Sequence, residues 1–508
     1  MKIQLLAILI ACISPVVSAA TVLGLDGLGA VSEASGNASA VGDLAPDHPA
    51  MEGIKAFNAG RHEEALRTIK PLADKNNPEA LLIMGLAHKD GRGVEASWEK
   101  AVEYMRKSKV FGNKQAAYLL PEFLIQTGEQ KSRDEALKLL EELARTDQGA
   151  AALILGEGGL RGWFGGEPDF ESARVWWMKS SEKGEVRAMM TLGRLFDGEF
   201  GFPEKRDPKA ALDQFLKVAA LDNPVGMIAA GSRLLSGDEA IRNEKLGLEW
   251  IKKAISAGRT DGHLVLGDYE QSLGKEDRAV VHYREGAESG QLVCMVRLGN
   301  LLYTGAEGVE KDPEAALGWF KKAGESGLPT GHLLAARLLL GGEDKSKILE
   351  GYGHLLAAAQ SGFAEAQNEI GMLYLNGRLG IQDGVAAAAW FGQASAGGFP
   401  LGSYNLATLL EQGFGVPQNF GEAGRLYAAA ATAGFPRAAA ALARLHANGA
   451  GTEKNLPKAW ALLSLAVQMG DKDSEEVLRE LASNLTEEQL EQGKKFFADF
   501  SKPQAKPE

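Results

Sequence analysis

The 508-residue sequence is poor in cysteine, in net positive charge and in long apolar runs. Its two cysteines are Cys12 and Cys294, and Cys12 falls in an N-terminal segment that we expect to be removed, so the mature chain forms no internal disulfide. The formal net charge of −12 argues against the broad basic surface that nucleic-acid binding requires. Beyond the N-terminal segment, no run approaches the roughly 18 apolar residues that span a bilayer. We therefore expect no nucleic-acid partner and no integral membrane span.

The sequence also lacks the short motifs that carry catalysis. It has no His-Glu-x-x-His helix, no nucleophile-elbow serine and no glycine-rich phosphate loop with its lysine. The glycines from Gly156 to Gly162 resemble a dinucleotide loop, but their spacing is wrong and they lie between two predicted helices. His263 and His332 are two repeats apart and cannot share a metal without further ligands. We therefore predict that the protein is not an enzyme and holds no cofactor and no metal.

Residues 1–19 have the pattern of a secretory signal peptide. A lysine precedes an apolar core, and small residues at 17–19 form a cleavage motif. A competing interpretation is that residues 9–12 resemble the lipobox of bacterial lipoproteins, which would leave an acylated Cys12 as a membrane anchor. We favour cleavage after Ala19, which predicts a periplasmic or secreted protein.

A repeat of about 36 residues runs from near position 78 to 472. In most units a small residue is followed six residues later by glycine. These pairs are Gly85 and Gly91, Gly156 and Gly162, Gly231 and Gly237, Gly299 and Gly305, Gly371 and Gly377, Ala407 and Gly413, and Ala443 and Gly449. Self-similarity with this period indicates stacked supersecondary units. Such a stack offers an extended binding surface rather than a convergent pocket.

Each unit has the pattern of two antiparallel helices. In the unit at 401–436, a leucine stripe is broken at Gly413, and a second apolar stripe ends at Gly434. We predict that Gly434 adopts the left-handed conformation of a helix C-terminal cap. The small residue of each first helix predicts close approach of the second helix, whose aromatic residue we assign to the core. These aromatic residues include Tyr283, Phe320, Phe391 and Tyr427.

The recurring small, glycine and aromatic positions resemble those of the Sel1-like repeat, a relative of the tetratricopeptide repeat. The unit that carries the resemblance best runs from Ala364 to Gly397 and includes Gly371, Phe391 and Ala394. The resemblance implies an all-α fold, a right-handed superhelical solenoid of stacked antiparallel helix pairs. A cysteine-rich branch of these proteins, linked to penicillin binding, carries paired cysteines in each repeat, and this chain does not have them.

The tail resembles the ends of bacterial Sel1-like proteins. Thr486, with Glu488 or Gln489, predicts a capped helix that closes the apolar end of the stack. The predicted organisation is a signal peptide at 1–19, a flexible linker at 20–50, a helical partial repeat at 51–77, about eleven repeats at 78–472, and capping helices with a tail at 473–508.

The resemblance implies protein interaction. We predict a non-catalytic adaptor or scaffold of the bacterial periplasm or cell surface that binds other proteins on the groove of the solenoid. One alternative is an envelope component that binds a polymer such as glycan or peptidoglycan. Another is a eukaryotic lumenal adaptor of degradation machinery, in which Asn37 and Asn484 would be glycosylation acceptors.

Two pairs of residues are candidate partner contacts. By analogy with tetratricopeptide folds, the residue after the small position faces the groove, and Asn300 and Arg337 hold that position in successive repeats. Together they could bind a carboxylate. Trp163 and Phe164 place two large aromatics in an expected turn, where they contact a partner or pack against the next repeat.

Overall fold

The computed structural model describes residues 48–146 and 149–500, which form α-helices joined by short turns. The predicted signal peptide, Cys12 and nearly all of the predicted linker lie outside these residues. Within the described part, a 3-10 turn at Pro203–Lys205 and an isolated bridge between Ala306 and Val309 are the secondary structure besides the α-helices. The predicted all-α repeat fold is confirmed. The chain divides into two compact units, one ending at Arg259 and one starting at Thr260.

The first unit contains twelve of the described helices. They are α1 Met51–Asn58, α2 His62–Ala73, α3 Pro78–Asp90, α4 Trp98–Val110, α5 Lys114–Gln126, α6 Gln130–Thr146, α7 Ala150–Arg161, α8 Phe170–Glu182, α9 Val186–Phe196, α10 Pro208–Ala219, α11 Pro224–Ser236 and α12 Glu244–Ser256. Each helix packs mainly against the one before it and the one after it. This nearest-neighbour packing is what a stack of helical repeats produces.

The second unit contains fourteen of the described helices, packed in the same way except that the last helix packs against the third-last rather than against its predecessor. They are α13 Asp261–Ser272, α14 Glu276–Glu288, α15 Leu292–Thr304, α16 Pro313–Glu325, α17 Pro329–Leu339, α18 Lys345–Gln360, α19 Ala364–Leu375, α20 Gly384–Ala396, α21 Pro400–Gln412, α22 Phe420–Thr432, α23 Pro436–Asn448, α24 Leu456–Gln468, α25 Ser474–Ser483 and α26 Glu487–Phe500.

Helix starts are set by short polar side chains that accept from the first turn. At α16, the Asp312 carboxylate accepts from the Ala315 backbone N–H at 2.8 Å, and Pro313 holds the first helical position. Aspartate and asparagine satisfy backbone donors that the helix itself leaves unpaired, and proline there removes a donor that would need a partner. At the helices that carry such a cap, local sequence defines where the helix begins.

The small residue of the repeat and the aromatic residue of its second helix form one contact. A Cβ atom placed on Gly371 would lie 2.5 Å from Cε1 of Phe391, and a Cβ on Gly299 would lie 2.5 Å from Cε1 of Phe320. Real side chains do not approach this closely, so glycine is required for the two helices to pack at this distance. Both phenylalanines are fully buried, which confirms their assignment to the core.

Gly434 ends α22 with a left-handed residue, as predicted. Its φ angle is +88°. The N–H of Phe435 donates to the Ala430 carbonyl at 3.0 Å, and the N–H of Gly434 donates to the Ala431 carbonyl at 3.0 Å. This pair of bonds is the Schellman motif, which satisfies the last carbonyls of a helix.

Replacing Gly434 with valine should lower the unfolding free energy by about 1 to 2 kcal/mol, because a β-branched residue is strained at positive φ. An added Cβ would meet no atom within 4 Å, so the loss reports backbone strain alone. Chemical denaturation followed by circular dichroism measures it. Gly434→Asn is the matched control, and it should lose much less because asparagine tolerates this conformation. Equal stability of the valine variant and the wild type would contradict the assignment.

The C-terminal helices pack back onto the last repeat. The Thr486 N–H donates to Oε1 of Gln489 at 3.0 Å, and the Gln489 N–H donates to Oγ1 of Thr486 at 3.2 Å. This reciprocal pair is a capping box, so the start of α26 at Thr486 is confirmed with Gln489 as the partner. Helix α26 contacts α24 through the buried Gly493, where a Cβ would lie 2.8 Å from Cε3 of Trp460.

Candidate functional site

A groove of about 440 Å³ lies in the second unit, over helix α23. Its floor is formed by alanines of α23, and apolar side chains of α21, α24 and α25 form the rest of its apolar lining. These residues include Ala440, Ala443, Ala447, Tyr404, Leu463 and Val477. The three alanines are three and four residues apart, so they share one face of the helix. Ala440 and Ala447 are half-buried and present small apolar side chains to the groove, whereas Ala443 is buried against α24.

The groove combines this apolar floor with exposed charge. Arg437 and Arg444 lie along α23, and Asp471 and Asp473 precede α25. Arg444 forms an ion pair with Glu411 at 2.8 Å, yet its side chain is 58% exposed. Glu411 is only 17% exposed, but it also accepts from the Tyr427 hydroxyl at 2.8 Å, so its carboxylate keeps a partner when the Arg444 guanidinium turns to another carboxylate.

Arg337, which the sequence predicted as a residue of the solenoid groove, is engaged by carboxylates of the next repeat. Its Nε donates to Oε1 of Glu369 at 2.7 Å, and its Nη2 donates to Oε1 of Glu365 at 2.5 Å. Burial raises the pKa of the Glu369 carboxyl, and the Arg337 charge offsets part of that rise. Arg337 therefore joins α17 to α19.

Asn300 has buried side-chain amide atoms that form no hydrogen bond within the described part of the chain. The joint anchor of Asn300 and Arg337 stays a prediction. A ligand carboxylate would compete with Glu365 and Glu369 for the Arg337 guanidinium.

Other side chains at the same repeat position also bind within the protein. In the first unit, Nε of Arg194 donates to Oε2 of Glu199 at 2.6 Å. In the second unit, the Tyr283 hydroxyl donates to Oδ1 of Asp268 at 2.6 Å. Burial raises the pKa of the Tyr283 hydroxyl, and this hydrogen bond raises it further. In these repeats the side chain at this position is bonded to nearby groups of its own repeat, whereas Arg444 lines an open groove.

Trp163 and Phe164 lie against the first unit's own core. Both are half-buried and pack against the apolar cluster built by α4 to α7. A Cβ on Gly158 would overlap the Phe164 ring, and the Phe164 carbonyl accepts from Nε2 of Gln130 at 3.1 Å. The ring therefore packs on α7 and its backbone is tied to α6. A role for this pair in partner binding stays a prediction.

The structure also brings together three possible metal ligands, although the sequence led us to predict none. They are His263 on α13 and His282 and Glu285 on α14. His282 and Glu285 are three residues apart, which puts them on one helix face, but no recognised motif links them to His263. Antiparallel pairing of α13 and α14 places the start of α13 beside the end of α14, and this could have suggested that His263 lies near Glu285.

Among the described helices, none combines the length and hydrophobicity needed to cross a bilayer.

The chain was compared with known families and solved structures. The sequence model of the Sel1 repeat matches seven segments. They are residues 78–109, 149–185, 224–258, 292–328, 364–399, 400–435 and 436–471. Each matched segment contains one helix pair of the structure, from α3 with α4 to α23 with α24.

Solved structures with repeat folds are similar to this chain. A protective antigen of uropathogenic Escherichia coli that displays an SLR fold is 25% identical, with 86% of this chain and 94% of that chain covered and a TM-score of 0.45. A Sel1 repeat protein from Oxalobacter formigenes is 22% identical, with 71% and 93% covered and a TM-score of 0.42. On its matched repeats, this chain belongs to the Sel1 repeat family.

Proposed function

We propose that this protein is a non-catalytic adaptor or scaffold that binds partner proteins in the groove over α23. Sel1 repeats typically mediate protein–protein interaction, and Sel1 solenoids are generally non-catalytic scaffolds. The observation that carries the proposal is the alanine floor of the groove with two exposed arginines beside it. An apolar centre with a charged rim is the usual composition of a protein interface.

The groove fits a partner segment with apolar side chains and at least one carboxylate. The half-buried Ala440 and Ala447 offer a small apolar floor, and Val477, which is 50% exposed, offers apolar surface on the wall. Arg437 or Arg444 would pair with the carboxylate, because the guanidinium binds carboxylates through two parallel hydrogen bonds. Helical and extended segments both bind grooves of this kind.

We place this activity in the bacterial periplasm or at the cell surface. Support comes from the sequence of residues 1–19, which has the charged start, apolar core and small-residue cleavage motif of a secretory signal. Acylation of Cys12 is the alternative, and it would tether the same adaptor to a membrane. Either N-terminus leaves the repeats exposed to envelope or extracellular partners.

The experiment is affinity capture from the native host with three versions of the chain. The wild type is compared with the double variant Arg437→Ala and Arg444→Ala, and with Arg425→Ala as the matched control. Arg425 is 76% exposed on α22 and pairs with Glu422 of the same helix, outside the groove lining. Captured proteins are identified by mass spectrometry, and their affinities are then measured with purified components.

We expect a partner that binds wild type and Arg425→Ala equally and binds the double variant at least about fivefold more weakly, the loss of ~1 kcal/mol that marks an interface residue. Circular dichroism should show unchanged helicity, since these arginines are exposed. Partners that bind all three versions equally would place the interaction elsewhere and overturn the groove proposal.

A further inference from the structure

We propose that His263, His282 and Glu285 form a surface site for Zn²⁺ in the second unit. Nδ1 of His263 lies 3.2 Å from Oε2 of Glu285, and Nδ1 of His282 lies 3.4 Å from the same oxygen. All three ligand atoms lie within 4.8 Å of one another. Imidazole nitrogen and carboxylate oxygen are ordinary zinc ligands. This proposal goes beyond partner binding in the groove and does not depend on it.

Local sequence explains how these side chains meet. His263 is in the first turn of α13, and Glu285 is in the last turn of its antiparallel neighbour α14. Gly286, beside Glu285, is buried, and a Cβ there would lie 2.5 Å from Sγ of Cys294 on α15 and 3.1 Å from Cβ of His263. Glycine at this position therefore lets the start of α13 approach the end of α14. His282 lies one turn before Glu285 and faces the same neighbour.

The spacing suits a tetrahedral ion. Nitrogen and oxygen ligands lie about 2.0–2.2 Å from Zn²⁺, which places neighbouring ligand atoms of a tetrahedron about 3.3–3.5 Å apart. The two distances to Oε2 of Glu285 are close to this value. Glu285 is 52% exposed, so an ion can enter from solvent and water can take the fourth position.

The two histidines have unmet bonding capacity. Nδ1 of His263 and Nδ1 of His282 are both shielded from solvent, and neither forms a hydrogen bond of acceptable geometry in the described structure. Buried polar atoms normally have a partner, because a missing one costs free energy. A metal ion would use the lone pair of each nitrogen at once. A proton shared with Glu285 is the competing occupant.

A second histidine pair in the same unit, His332 and His354, serves as a comparison for the proposed site. His332 holds the same repeat position as His263, four residues before the small residue, and its Nδ1 lies 3.0 Å from Nδ1 of His354. One ring can donate to the other there, so the two nitrogens satisfy each other. Burial lowers the pKa of His332. Burial and the neighbouring His332 both lower the pKa of His354, so the neutral form of both rings is favoured.

The test is zinc titration of untagged, chelator-treated full-length protein by isothermal calorimetry. We compare wild type with His282→Gln and Glu285→Gln, and with His354→Gln as the matched control. We expect one Zn²⁺ per chain in wild type and in the control, and at least tenfold weaker binding in the two site variants. Co²⁺ in place of Zn²⁺ should give the intense visible bands of tetrahedral coordination in wild type and lose them in Glu285→Gln.

Thermal unfolding separates loss of metal from loss of fold. Zn²⁺ should raise the melting temperature of wild type, because a ligand that binds the folded state stabilises it, and should not raise that of Glu285→Gln. Helicity without metal should be equal in both. Equal zinc affinity in all four proteins, or a loss confined to His354→Gln, would overturn the site. A stability change in Glu285→Gln without any zinc dependence would assign the cluster to a shared proton instead.

Discussion

Replacing Trp177 with alanine is expected to destabilise its repeat by about 3 to 5 kcal/mol, the usual cost of deleting a buried tryptophan side chain. Trp177 is fully buried, and its Nε1 donates to the Leu153 carbonyl at 3.0 Å. The indole also covers Gly156, where a Cβ atom would overlap it. The variant therefore loses apolar packing, leaves a cavity and removes a donor to α7. Hydrogen exchange of α7 and α8 measures the loss.

The neighbouring tryptophan provides the control. Trp176 is half-buried and its ring meets the Lys179 ammonium at 4.0 Å, so Trp176→Ala should lose far less protection. Gly156→Ala should destabilise the wild type by about 1 to 3 kcal/mol through overpacking, and should cost less once Trp177 is alanine. Additive losses in the double variant would show that Gly156 and Trp177 do not form the proposed contact.

Replacing Arg337 with methionine is expected to lower stability by about 2 to 4 kcal/mol at neutral pH, because it leaves a buried carboxylate unpaired. The Arg337 and Glu369 side chains are 15% and 23% exposed, so water reaches them partly and the loss should stay below that of a fully enclosed pair. Glu365, one turn before Glu369 on α19, adds like-charge repulsion. Urea unfolding followed by circular dichroism measures the change.

The loss should shrink as pH falls. Burial raises the pKa of Glu369 in the folded state, and removing Arg337 takes away the charge that opposes this rise. A carboxyl with a raised folded-state pKa binds a proton more readily when folded, so its protonation stabilises the fold below that pKa. The difference between variant and wild type should therefore narrow from pH 7 towards 4.5, the ordinary value for the group.

Two further variants isolate the cause. Adding Glu369→Gln to Arg337→Met should recover much of the stability at pH 7, since the uncompensated charge is gone. Arg425→Met, at an exposed pair, should leave stability nearly unchanged. A loss that is independent of pH and is not recovered by Glu369→Gln would show that Arg337 contributes by packing alone.

This ion pair bears on the predicted anchor of Asn300 and Arg337. An alanine at Arg337 would weaken a partner's binding through loss of structure even if no ligand touched the residue. Arg444 is the better probe of the inner surface, because it is exposed and lines the groove.

Features that depend on local sequence or on the repeat period could be predicted without the structure. The left-handed Gly434 and the capped start at Thr486 follow from a few adjacent residues, whose backbone preferences act locally. The contact of Gly371 with Phe391 follows from the period, because the same small and aromatic positions recur in many units. The Sel1 repeat fold could be predicted from the sequence for the same reason.

The identity of the polar side chains that meet between helices was decided by the tertiary structure alone. Arg337 meets Glu365 and Glu369 because α19 packs against the repeat before it, and His263 meets Glu285 because Gly286 admits close approach. The meeting place of His263 and Glu285 recurs two repeats later as His332 and His354, so the period marks the place but not the chemistry of the side chains that meet there. The sequence by itself determined the repeat, its helix pairs and their caps. The tertiary structure decided which charged and metal-binding side chains face one another and where a groove stays open. These features depend on distances between helices and on side-chain rotamers, which a repeating pattern does not encode.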